Sequence, residues 1–284
     1  RTLQGQGHTV RLMAPQFVKP YVKSNKNDVA DAEAICEAVA RPSMRFVPVK
    51  SVEQQSVLSL HRARQGFVIA RTAQANQIRS LLGEFGLVIP KGISHVTKQV
   101  PRLLDDASNQ LPGVLRQLIT RLSEHLKDLD KLVDELEMQI KAWHRSSELS
   151  LRLEKIPGIG PLGASALVAS IADANSFANG RQLSAWLGLV PRQHSSGGKP
   201  TLLGISKRGD VYLRTLLIHG ARSAILAAQR KAVNTNVWLV GLLSRRHPNV
   251  AAVALANKNV RTVWALLAHG REFRPSYVPK QLAA

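Results

Sequence analysis

The longest apolar pattern in the chain runs from residue 111 to residue 140. Leu111, Leu115, Leu118, Leu122, Leu126, Leu129, Leu132, Leu136 and Ile140 follow one another at steps of three or four. That spacing lines one face of an α-helix and, held over several heptads, makes a coiled-coil seam. It predicts a helix from Pro112 to about Trp143. A second long helix is predicted from Ser51 to about Phe85, with Val57, Leu58, Leu60, Val68, Ile69, Ile78, Leu81 and Leu82 apolar and Gly86 as its stop. Two readings of the leucine seam stay open: a hairpin formed by these two helices, or a coiled coil joining two copies of the chain. Residues 86–108 read as a linker.

Upstream, HTVRLMAP alternates weakly and predicts a short strand over 8–13 that ends before Pro15. The segment NDVADAEAICEAVA predicts a helix, capped by Asn27 or Ser24, with Asp28 in its first turn and Pro42 as its stop. Cys36 in this helix reads as a small core residue. MRFVPVK reads as a brief extended piece. The opening RTLQGQGHTVRLMAP has the look of a helix tail, a turn at Gly5–Gly7 and a strand, so the chain is expected to begin inside a helix–strand unit. Residues 149–284 read as mostly helical, with glycine-rich turns.

Charge changes the picture. The 284 residues carry 39 Lys and Arg against 19 Asp and Glu, a net +20. Residues 151–284 hold 18 of those cations and only four acids, Glu154, Asp173, Asp210 and Glu272, a net +14. Such a surplus favours a polyanionic partner, nucleic acid or an acidic membrane surface. No apolar run is long enough to span a bilayer, and no signal peptide is evident. The single cysteine excludes an internal disulfide and fits a reducing cytosol; with scattered histidines it also argues against a structural zinc site.

Three stretches carry candidate chemistry. KIPGIGPLGASALVASI (155–171) places Gly158 and Gly160 in a turn between two apolar helices. It resembles a helix-hairpin-helix, in which backbone N–H groups approach a DNA phosphate; a tight interhelical turn is the alternative. Asp28 and Asp31 lie three apart on one helix face, a spacing that suits Mg2+ in phosphate chemistry or an ordinary acidic helix start. Glu33 and Glu37 read as a solvated face. Finally, PRQHSSGGK (191–199) sets Ser195 and Ser196 before two glycines, among Arg192, Lys199, Lys207, Arg208 and Arg214. Serine attacks phosphorus only when its proton is taken and the growing charge is stabilised. A basic DNA-contacting loop without chemistry stays open, with His194 as a structural residue or phosphate contact.

Taken together, APQFVKPYVKSNKNDVADAEAICEAVARPSMRFVPVKSVEQQ, LHRARQGFVIARTAQANQIRSLLGEFG, IPGIGPLGASALVA, AWLGLVPRQHSSGGKPTLLGISKRGDVYLRTLLIHGAR and AAVALANKNVRTVWALL resemble, in this order, transposases of insertion-sequence family 110, in the subgroup typified by insertion sequence 1111. The resemblance implies a mixed, mainly α fold: the C-terminal remnant of an RNase H-like (RuvC-like) DEDD domain over 1–50, a long-helix coiled-coil region over 51–148, and a helical transposase domain with the serine motif over 149–284. It implies DNA recombination through a covalent phosphoserine, Mg2+ held by acids, a structured guide RNA, and a homo-oligomer, dimer or tetramer, in the bacterial cytoplasm. By it, Ser196 is the nucleophile with Ser195 as runner-up, and Asp28 and Asp31 are the last two of four acids. Read from charge and turn chemistry, Arg192, Lys199, Lys207, Arg208, Arg214, Gly158 and Gly160 are the expected nucleic-acid contacts. The first two acids have no counterpart here, so the expectation is an N-terminally truncated transposase that binds Mg2+ poorly. A metal-dependent structure-specific nuclease and a non-catalytic nucleic-acid-binding remnant are the alternatives.

Overall fold

The computed structural model describes residues 1–23, 27–230 and 237–274. In chain order they form α1 (Thr2–Gly5), β1 (Leu12–Met13), α2 (Pro15–Val18), a 3-10 turn (Lys19–Tyr21), α3 (Asp28–Val39), β2 (Phe46–Val47), α4 (Val52–Gly83), α5 (Ile93–Asp105), α6 (Gly113–Ser146), α7 (Glu148–Glu154), α8 (Pro161–Ser170), a 3-10 turn (Ala174–Ser176), α9 (Gly180–Trp186), β3 (Pro191–Gln193), β4 (Leu202–Ile205), α10 (Val211–Arg230), α11 (Val237–Leu243) and α12 (Pro248–His269). The chain is mainly α. Its contacts group into two units, one of residues 56–148 and one of residues 1–55 with 149–284.

In the 56–148 unit, α4 and α6 form an antiparallel hairpin. Arg71 Nη1 meets Asp130 Oδ1 at 2.7 Å, Gln74 Oε1 meets His125 Nδ1 at 2.9 Å, and Arg64 Nε donates to Glu137 Oε1 at 3.0 Å. Burial opposes the charge on Glu137, but Arg64 and Lys141 hold its carboxyl below the usual range. His61 is buried, and desolvation, helped by Arg64, pushes its imidazole down to about 4, so it sits neutral in the interior.

The buried seam of α6 is Ile119, Leu126, Leu129, Val133, Ile140 and His144. This corrects two positions, because Leu118 and Leu132 turn outward, 43% and 38% exposed. Ile119, Leu126, Val133 and Ile140 recur every seven residues, which keeps them on one face, whereas Leu118 and Leu132 lie one residue off that stripe. The expected linker is also corrected. It contains α5, whose Val96 and Val100 join Ile78, Leu82, Ile89, Leu111, Ile119 and Leu126 in one core. Its end is held by Arg116, which donates to the Leu104 carbonyl at 2.6 Å and the Asp106 carbonyl at 2.9 Å, groups a helix end leaves without amides.

In the other unit, β1 and β2 pair antiparallel, Leu12 with Val47 and Met13 with Phe46. The expected strand over 8–13 is therefore only its last two residues, matched by an equally short partner. Among the described residues of 1–55, this ribbon is the whole of the sheet. Asn27 caps α3, its Oδ1 accepting from Ala30 N at 2.7 Å; the other candidate cap, Ser24, lies outside the described residues. Ala30, Ala34 and Ala38 make the buried stripe of α3, and Cys36, half a turn from that stripe, is exposed rather than core.

The C-terminal helices pack around α12, with α9, α10 and α11 against it and α8 against α10. Ala251, Ala252 and Ala256 of α12 and Ala221 of α10 are fully buried, so backbones approach closely. Asn259 of α12 donates to the Pro157 carbonyl at 2.9 Å, and the Trp264 indole N–H reaches the carbonyls of Ala174 and Phe177. No helix among the described residues is long and apolar enough to cross a membrane.

Gly158 has a left-handed φ of 91°, and a Cβ there would meet the Gly220 carbonyl oxygen of α10 at 2.8 Å. Gly160, two residues on, faces open space. Gly158→Ala is expected to destabilise the protein by roughly 2–4 kcal/mol, and Gly160→Ala by about 1 kcal/mol or less, as read by thermal unfolding. Equal effects would mean that the turn does not pack on α10.

Candidate catalytic and nucleic-acid-binding site

The serine motif forms the end of a β-hairpin. β3 and β4 pair antiparallel, Pro191 with Ile205 and Gln193 with Leu202, with an irregularity between the two pairs. Beyond them His194 N donates to the Thr201 carbonyl at 2.9 Å, and Ser196 pairs with Lys199, whose N–H reaches the Ser196 carbonyl at 3.1 Å. Between that last pair stand Gly197 and Gly198, with φ of 54° and 74°. A two-residue turn with positive φ at both positions is the I′ type, whose twist matches that of the strands and which glycine adopts without cost from a Cβ. The two glycines are thus explained by the turn itself. The stretch from Pro191 to Pro200 is exposed throughout.

The hairpin separates the two serines. Side chains alternate across a strand and directly paired residues share a face. Ser196 therefore shares its face with Arg192, His194, Lys199 and Thr201, and Ser195 lies on the opposite one. Gln193, also on that opposite face, donates its side-chain amide to Ser195 Oγ at 2.9 Å.

A second backbone segment brackets the base of the hairpin. A Cβ on Gly188 would lie 2.1 Å from the Arg208 carbonyl oxygen, and one on Gly209 would lie 1.9 Å from that of Trp186. The strips 186–188 and 207–209 thus touch backbone to backbone. Ser206 N donates to the Val190 carbonyl at 2.9 Å, and Lys207 N to that of Gly188 at 3.1 Å. Asn257 of α12 donates to the Leu189 carbonyl at 3.1 Å. Lys207, at φ 56°, is the one non-glycine residue with positive φ among the described residues, a conformation that costs of order 1 kcal/mol and marks functional segments. Lys207 and Arg208 are exposed. Gly188, Gly209 and Asn257 were not singled out in the sequence; the glycines stand in WLGLVP and SKRGD with nothing to show that they face each other.

Two expected contacts have other work. Arg214 is 8% exposed, and its Nη1 donates to the carbonyls of Leu187 at 3.2 Å and Arg208 at 2.8 Å. Through these bonds Arg214 ties the bracket to α10. Gly158 likewise serves packing on Gly220, while Gly160 stays open at the start of α8.

Asp28 and Asp31 sit in the first turn of α3, Asp28 exposed and Asp31 half-buried. The hydrogen bonds and ion pairs of the described residues link neither to the hairpin. Among the described residues no group of three or more His, Cys, Asp or Glu is placed to hold a metal ion. Two carboxylates at a helix start are already favoured by the helix dipole, whose positive end disfavours a cation there. By themselves they do not fit a Mg2+ site.

Comparison with known proteins accounts for both ends of the chain. Residues 150–235 match the family model described as Transposase IS116/IS110/IS902 family, and residues 1–86 match the DEDD transposase model of IS110. A probable family 20 transposase of Pseudomonas aeruginosa is 53% identical over 97% of this chain and 82% of its own length. The transposase for insertion sequence element IS1111A of Coxiella burnetii is 46% identical over 96% of this chain and 75% of its own. The transposase for IS1328 of Yersinia enterocolitica is 43% identical over 96% and 81%. With both segments matched and relatives this similar along almost its whole length, the chain belongs to the IS116/IS110/IS902 family of insertion-sequence transposases.

Proposed function

We propose that this transposase acts on DNA by phosphoryl transfer with Ser196 as nucleophile. One observation carries the reading: Ser196 stands exposed on a glycine turn, on the hairpin face that also bears Arg192 and Lys199, whereas Ser195 is engaged by Gln193 on the other. In the step, Ser196 Oγ bonds to phosphorus as one phosphodiester P–O bond breaks. The Oγ proton passes to His194, which stands on the same face, or to water, and the departing strand oxygen takes up a proton from solvent. The Arg192 and Lys199 cations stabilise the charge on the pentacovalent phosphorus. Attack by another strand's hydroxyl then reverses the bond changes and frees the serine. Mg2+ belongs to this reading only with further acids beside Asp28 and Asp31, and no step is routed through it. The test is a denatured reaction searched by mass spectrometry for DNA joined to the 193–199 peptide. An active preparation without that adduct points instead to a metal-dependent nuclease.

The cationic surplus of residues 151–284 supports DNA, and a structured guide RNA, as partners. Affinity for a nonspecific 30-base-pair duplex is expected to fall at least about tenfold between about 50 and 200 mM salt, as counterion release requires. A smaller change in a fluorescence-anisotropy titration would mean few phosphates are contacted. We also propose a homo-oligomer, supported by the outward-facing Leu118 and Leu132 of α6.

A further inference from the structure

We propose that Trp186 is a stacking platform for an unpaired nucleobase beside the serine hairpin, a proposal that rests on the DNA reading above. Trp186 ends α9, and its carbonyl lies directly against Gly209 of the bracket. The residue is 38% exposed. The ring leans on Phe177, with centroids 5.5 Å apart at 58°, so one neighbour braces it. The other tryptophans for which contacts are described are engaged otherwise. Trp264 is pinned by two carbonyls through its indole N–H, and Trp238 has the Lys258 ammonium 4.4 Å from its ring centroid. Trp186 thus keeps part of its ring open beside a single aromatic neighbour.

The surroundings select the occupant. The backbone that holds Trp186 also holds Lys207 and Arg208, two exposed cations, the first on a strained backbone. An apolar protein partner would leave those cations to be desolvated without a counter-charge, which is costly. A nucleotide meets both demands, because its base is a flat π surface and its phosphate an anion one sugar away. Aromatic rings set beside cations are the means by which proteins hold single-stranded nucleic acid. In a duplex the base faces are covered by their neighbours, so the platform is used only where a strand is opened or ends.

The experiment uses the chain with a mixed-sequence 20-nucleotide single strand and the same sequence as duplex. Trp186→Ala is expected to weaken single-strand binding about tenfold and to leave duplex binding within about twofold. Trp186→Phe, which keeps a stacking face, is expected to retain most of the single-strand affinity. It should also lose the quenching of tryptophan emission that the single strand causes in the unaltered protein. Equal losses for single strand and duplex, with unfolding midpoints matching the unaltered chain, would overturn the platform. So would single-strand binding unchanged in Trp186→Ala, or quenching that persists in Trp186→Phe. Binding of neither nucleic acid by the unaltered chain would overturn the DNA reading, and the platform with it; duplex binding without single-strand binding overturns the platform alone.

Discussion

Ser196→Ala is expected to abolish covalent attachment of DNA, by at least about a thousandfold, in a preparation that forms the adduct. The other hydroxyl on that face, Thr201, is a more hindered secondary alcohol set opposite His194 rather than at the turn. The turn survives the change, because Ser196 contributes its carbonyl to Lys199 N rather than its hydroxyl. DNA affinity is therefore expected to stay within about twofold, since cations dominate the contact. Ser195→Ala is expected to keep the adduct. Loss of the adduct with Ser195→Ala and its persistence with Ser196→Ala would move the nucleophile by one residue and to the other face of the hairpin. Asp28→Ala and Asp31→Ala are expected to remove the adduct as well.

The second large effect is structural. Leu126 is 1% exposed and packs in one cluster with Ile78, Leu82 and Ile119. Leu126→Asp places a carboxylate where no cation awaits it, at an expected cost of about 4 kcal/mol or more. In urea unfolding the 56–148 unit should melt at much lower denaturant, with helicity lost. Leu132→Asp, at a 38% exposed position of the same helix, is expected to cost under about 1 kcal/mol. The pair of variants separates two roles that the leucine spacing alone leaves mixed. If outward leucines join copies of the chain, Leu118→Asp with Leu132→Asp should lower the mass seen by light scattering and leave helicity intact. If both leucines prove silent, α6 serves the hairpin alone.

Much of the local structure was legible from side-chain periodicity. The expected helices over 51–85 and 112–143 appear as α4 (Val52–Gly83) and α6 (Gly113–Ser146), and Asn27 caps α3 as its short acceptor side chain allows. These features depend on neighbours three or four residues away, which a sequence displays directly. The helix α5 was equally periodic, with Ile93, Val96 and Val100, but Gly92 and Pro101 disguised it; only the core of α4 and α6 rewards the burial that outweighs them. Leucines off the seam by one residue likewise looked equivalent until a partner helix chose a face.

The sequence by itself determined the family, the surplus of cations in the second half and the serine–glycine motif, because identity and charge are carried residue by residue. Only the tertiary structure decided which of these residues act together. Arg192 and Arg214 are the same side chain in the same basic stretch, yet one is exposed on the hairpin and the other is enclosed by the carbonyls of Leu187 and Arg208. Ser195 and Ser196 are adjacent, and the pairing of Ser196 with Lys199 sends them to opposite faces. Gly158 and Gly188 are small for the sake of backbone at Gly220 and Arg208, 62 and 20 residues away in sequence. The serines are sorted by a local turn, but the arginines and glycines are sorted by contacts between segments far apart along the chain, and residue type carries no record of which segment comes near.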